Sequence, residues 1–159
     1  MRVISVDPGY DRLGVAIIEY QDGKEHLIYS CCIQTERSAS LLDRLQDMGQ
    51  QFEQVLRAHA PDTLAIETLF FNKNQKTAIG VAQARGIIIY LAQAANCRVY
   101  EFGPQEVKVA VTGYGKSDKS AVIDMVHRLI PNTPTDALDD EYDAIAIGIT
   151  CIAHYGRTQ

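Results

Sequence analysis

The sequence predicts an α/β domain: a five-stranded mixed sheet flanked by helices on both faces. Three observations carry this. Strand-like runs fill the first 35 residues, joined by short turns. From Ser38 onward, helical and strand-like periods alternate. The final long segment, Asp139–His154, is apolar nearly all round, as suits a helix buried beneath a sheet.

The first strand, Val3-Ile4-Ser5-Val6, ends in Asp7, and Pro8-Gly9 turns the chain. Leu13–Tyr20 and His26–Thr35 read as the next two strands, with a hairpin turn at Gln21-Asp22-Gly23-Lys24. Ser38–Ala60 switches to a helical period, with Leu41, Leu42, Leu45, Met48, Phe52, Val55 and Leu56 at three- and four-residue spacing. Ser40 is its expected N-cap, with Asp43 at N3. After Pro61-Asp62, a short buried strand, Thr63–Ile66, ends in Glu67. Thr68–Gln75 reads as a loop with two adjacent aromatics, and Lys76–Ala95 as a long helix whose small residues allow close helix–helix contacts. Cys97–Phe102 is the fifth strand. Pro104–Thr112 and Ser120–Ile130 are helices, separated by a Gly-rich basic loop. Pro131–Pro134 links to the final helix, whose first turn alone is acidic.

At 159 residues, without an internal repeat or low-complexity stretch, the chain reads as one domain over residues 1–159. It is 47% hydrophobic and 22% charged, enough to bury a core and too apolar for disorder. It contains no run of about 18 apolar residues without a charge. No signal-peptide pattern opens it, so a soluble cytoplasmic protein with no membrane partner is expected. Cys31, Cys32, Cys97 and Cys151 lack zinc-ligand spacing and read as reduced thiols. His26, His59, His127 and His154 are scattered with no ligand spacing and read as structural or surface residues.

The chemistry concentrates in carboxylates. Asp7 and Glu67 each end an apolar strand, where a bare charge costs several kcal/mol or so unless it is paired. Asp7 alone could simply cap the turn. Asp140 and Asp143, at i and i+3, share one face at the start of the last helix, while Asp139 and Glu141 point elsewhere. Acidic residues also favour helix N-termini through the macrodipole, so this pair has a second explanation. In a β-β-β-α-β order the fourth strand commonly pairs with the first, and a buried helix would bring all four acids to one sheet edge. Four such groups cannot all stay ionised without cations. Their hard oxygens call for Mg²⁺ or Mn²⁺. Two ions about 3.5–4 Å apart suit in-line hydrolysis of a phosphodiester.

Asp7-Pro8-Gly9, Ala65-Ile66-Glu67 with Phe70 after it, Gln83-Ala84-Arg85-Gly86 and Asp140-x-x-Asp143-Ala-x-Ala-Ile-Gly-Ile-Thr together resemble the RuvC family of Holliday-junction resolvases. The resemblance runs from Met1 to about His154 and implies a ribonuclease-H-like fold. It implies a crossover junction endodeoxyribonuclease that makes paired symmetric nicks in four-way DNA junctions during recombination and repair. Its products would carry 5′-phosphate and 3′-hydroxyl ends. It further implies that Asp7, Glu67, Asp140 and Asp143 hold two Mg²⁺ ions, with Mn²⁺ as a substitute. Phe70 is implied to stack on unpaired bases, with Phe71 packing beside it. Lys108 and Lys119 resemble family lysines near the site. Lys116 and Lys119 also lie in the loop entering a helix N-terminus, a setting that suits a phosphate oxygen.

The net charge of −5 argues against a nucleic-acid partner when taken alone. The four proposed ligands account for most of that excess. The resemblance also implies a homodimer and work beside a branch-migration motor. The small-residue helix offers Ile79, Ala82, Gly86 and Ile89 as dimer contacts, unless it only covers the sheet. Two other readings use the same residues: a related nuclease acting on RNA or RNA–DNA hybrid, and a module that holds junctions without cutting.

Overall fold

The computed structural model describes residues 1–68 and 75–156, with backbone alone for 75–77. The elements are β1 (Arg2–Asp7), β2 (Arg12–Gln21), β3 (Lys24–Gln34), α1 (Leu41–His59), β4 (Thr63–Glu67), α2 (Gln75–Ala94), β5 (Arg98–Phe102), α3 (Pro104–Thr112), α4 (Lys119–Leu129) and α5 (Asp139–Tyr155). The sheet order is β3-β2-β1-β4-β5. β1, β2 and β3 form the expected antiparallel meander, and β4 and β5 add in parallel to β1 and to each other.

Alternation along β1 separates two cores. Ile4 and Val6 pack with α1 and α2 through Met48, Phe52, Ala84 and Ile88. Val3 belongs to the opposite cluster, with α5 residues Ala144, Ile145 and Ile149 and with α3 and α4. α5 lies close enough to the sheet that a Cβ on Gly148 would meet Ser5 Oγ at 2.7 Å. This is the all-round buried helix that the apolar composition of residues 144–152 predicts.

Three local details differ from the sequence reading. α4 begins at Lys119, because the Asp118 side chain accepts the Ala121 N–H at 2.8 Å and caps the helix one residue early. Lys119 is therefore a helix residue, not a loop residue. The small residues of α2 do not all serve helix–helix contact. Gly80 backs onto the Tyr10 ring, and a Cβ on Gly86 would meet nothing within 4 Å. The close α1–α2 approach uses Gly49, where a Cβ would lie 3.1 Å from Ile87 Cγ2. Ser40 does cap α1, accepting from the Asp43 N–H at 3.2 Å. No helix among the described residues is long and apolar enough to cross a membrane.

Candidate active site

Parallel pairing of Val6 with Ile66 sets the next residues, Asp7 and Glu67, side by side at the ends of β1 and β4. Their carboxyls are hydrogen-bonded, with Asp7 in the donor role. Burial, then the charges of Glu67, Asp143 and Asp140, push Asp7 up from 3.8 to about 8. Burial also raises Glu67 and Asp143, against the pull of Lys119 in both cases. Burial first, and the neighbouring carboxylates second, thus favour the protonated form of Asp7.

α5 supplies the other two acids. Its approach depends on Gly14 of β2, the register partner of Asp7. A Cβ on Gly14 would fall 1.8 Å from the Asp140 carbonyl oxygen, so only glycine lets the first turn of α5 reach β2. Asp140 Oδ2 lies 3.2 Å from Arg12 Nε, in ion-pair range, yet it is buried without a hydrogen bond. The two observations agree: the guanidinium is close but poorly aligned.

Lys119 Nζ bonds Asp143 Oδ2 at 2.8 Å and reaches Asp139 Oδ2 at 3.3 Å. Asp139 therefore shares a cation with Asp143 and does not point away. Burial disfavours the Lys119 charge, but its two carboxylate partners win and hold the ammonium above its usual range. Glu141 turns to β3, accepting from Ser30 Oγ at 2.5 Å. Beside the acids, Glu67, Val107, Lys108, Lys119, Asp143 and Ile147 help to line a cleft of about 240 Å³.

The structure brings Asp7, Glu67, Asp140, Asp143, Lys108 and Lys119 to one sheet edge. It does not bring Lys116 to the cleft wall. Lys116 is exposed on the α3–α4 turn, where Ser117 Oγ is committed to Thr112 Oγ1 at 2.7 Å. Phe70 and Phe71 lie outside the described residues. Ile79 and Gly86 are exposed on α2, and Ala82 and Ile89 are half-buried. Of the histidines, His127 Nδ1 bonds Thr133 Oγ1 at 2.6 Å and His59 stacks on Tyr29, in keeping with structural roles. The sequence pattern does not single out Arg12 or Gly14. The one available signal is a glycine inside an otherwise apolar strand, Leu13-Gly14-Val15-Ala16.

Among the described residues, no three His, Cys, Asp or Glu side chains are already gathered closely enough to hold a metal ion. The donors still fit a hard divalent cation. They are all carboxylates, Asp7 is pushed up by burial and by its three acidic neighbours, and Asp140 Oδ2 is buried without a hydrogen bond.

A profile of the family described as crossover junction endodeoxyribonuclease RuvC matches residues 3–151. The chain belongs to the RuvC family. The RuvC of Thermosipho melanesiensis is 40% identical, over 96% of this chain and 97% of its own length. That of Halothermothrix orenii is 41% identical, over 94% of this chain and 90% of its own. Thermus thermophilus RuvC in complex with a Holliday junction substrate superposes with a TM-score of 0.90 at 28% identity, covering 99% of this chain and 95% of that one. A yeast mitochondrial Holliday junction resolvase shares the fold, with a TM-score of 0.70 at 14% identity. The mixed sheet, its flanking helices and the acids at the β1 and β4 ends thus sit in a RuvC frame.

Proposed function

We propose that this RuvC chain resolves four-way DNA junctions, with Asp7, Glu67, Asp140 and Asp143 as its metal-holding catalytic set. The observation that supports this most is geometric: parallel pairing of β1 and β4 sets Asp7 and Glu67 side by side, with Asp140 and Asp143 of α5 close enough for their charges to act on Asp7. Two Mg²⁺ ions, or Mn²⁺ in their place, would be held by the four carboxylates. When bound, they supply the positive charge that phosphodiester hydrolysis needs.

The chain's own groups do the rest. Asp7 would hold an ion only as its carboxylate, so ion uptake would be accompanied by proton release below about pH 8. Lys119, tethered to Asp143 and Asp139, can turn its remaining N–H toward a phosphate oxygen in the cleft. Lys108, half-buried on the cleft wall, offers a second ammonium. Phe70 would stack on a base unpaired at the crossover, with Phe71 beside it, for about 1–3 kcal/mol per base. Two opposed nicks require two sites, which a two-fold homodimer supplies. The exposed Ile79 and Gly86 on α2, with Ala82 and Ile89, are its proposed contacts.

The test is a mobile synthetic four-way junction, end-labelled on each strand in turn, with Mg²⁺, Mn²⁺ or EDTA. Paired nicks at symmetric positions are expected, absent in EDTA and in Asp7→Asn. Sealing of the products by a ligase would report the 5′-phosphate and 3′-hydroxyl ends. Binding without nicks in either metal would instead make the chain a junction-holding module.

A further inference from the structure

We propose that Arg12 grips a backbone phosphate of the DNA on the β2 side of the acidic cluster. This rests on the junction-cutting reading above. Asp7 stands at the centre of a row of elements. On its β4 side lie Glu67 and the two cleft lysines, and on its β2 side lies Arg12. The two flanks therefore present cations to either side of the same acids.

The geometry of Arg12 is that of a binding residue. Its side chain is 43% exposed, and its Nε lies 3.2 Å from Asp140 Oδ2, which nevertheless has no hydrogen bond. Nη1 and Nη2 have no partner among the described residues. An arginine that served only to neutralise Asp140 would turn its two-pronged fork to that carboxylate. Here the fork is left free beside an anionic site, in the arrangement that suits a tetrahedral phosphate.

The backbone that carries Arg12 is fixed from several directions. Gly9 packs so closely on it that a Cβ there would fall 2.3 Å from the Arg12 carbonyl oxygen. Thr35 donates its N–H to Asp11 O at 3.2 Å and its hydroxyl to Tyr10 O at 2.6 Å. The buried Arg44 pairs with the Asp11 carboxylate. Arg12 itself is in register with Gln34 of β3. Little backbone ordering is left for DNA to supply, which favours binding.

The experiment measures affinity for a fluorescent four-way junction in Mg²⁺ across about 50–200 mM salt, in the cutting-deficient Asp7→Asn background. Adding Arg12→Gln is expected to weaken binding about tenfold and to flatten the log–log salt slope by about one unit. Arg12→Lys should restore most of the slope. Lys24→Gln, which removes an equal charge at the far end of β2 and β3, should leave the slope unchanged. Unchanged affinity and slope in Arg12→Gln, with slower nicking when Asp7 is restored, would overturn the proposal and leave Arg12 as a positioner of Asp140. An equal slope change in Lys24→Gln would also overturn it, by reducing the effect to net charge. If the Asp7→Asn parent binds no junction at all, the functional reading fails and takes this inference with it. Melting temperatures of each variant separate lost contact from lost fold.

Discussion

The two faces of the sheet are filled in different ways. On one, α1 and α2 bury large side chains such as Phe52, Met48 and Ile88, and the fit is made by side-chain bulk. On the other, α5 also buries large side chains such as Ile145 and Ile149, but its approach is set at two glycines, with Gly14 under the Asp140 backbone and Gly148 against the Ile18 and Ser5 side chains. A bulky interface tolerates adjustment, because rotamers can share a misfit. At Gly14 backbone meets backbone and cannot adjust, so the α5 face sets position as well as stability. That is the face whose helix carries Asp140 and Asp143.

If this division holds, stability and cutting should separate by face. The largest loss of stability is expected from Phe52→Ala, about 3–5 kcal/mol by chemical denaturation, because a fully buried ring leaves a cavity. Nicking per folded molecule should stay within about threefold of the parent. A collapse of nicking in the folded fraction would break the division.

Gly14→Ala should do the reverse. The new Cβ meets backbone and must push the start of α5 away, costing about 1–3 kcal/mol of stability. Displacing two carboxylates by even about 1 Å should cost on the order of 100-fold in nicking rate, measured under single-turnover conditions.

A third outcome concerns pH. The folded state holds Asp7 near 8 against 3.8 for a free carboxyl, so the folded state binds the extra proton. The stabilisation is complete below pH 3.8 and is lost as pH rises through about 8. In EDTA, denaturation should therefore show stability falling by roughly 1–3 kcal/mol between about pH 5 and 8. Asp7→Asn should flatten that fall, and Mg²⁺ should offset it. A rise in stability over that interval would show that the acids are not crowded as described. The smallest effect is expected from Gly49→Ala, where the new methyl faces only the tip of Ile87, 3.1 Å away. A change within about 1 kcal/mol and unaltered nicking are expected there.

The strands and helices were legible because each rests on local period or a turn residue, and Asp7 and Glu67 stood out as single charges after apolar runs. Asp140 and Asp143 were legible as a pair because helical spacing alone puts them on one face. Arg12 and Gly14 were not, because their meaning arises from register and from a helix more than 120 residues away in the chain. The start of α4 was misplaced by one residue for a smaller reason. Ser120 and Asp118 are both good caps, and only the bond from the Ala121 N–H shows which one is used.

α5 runs unbroken from Asp139 to Tyr155, with its middle buried. The acids at its start are thus fastened to the most protected part of the molecule, not to a loop that can open by itself. Amide exchange along Ala144–Ile152 should proceed only through global opening. Heating should then offer no intermediate in which the fold persists and the blade is blunt: the inactivation curve and the melting curve of the metal-free protein should coincide.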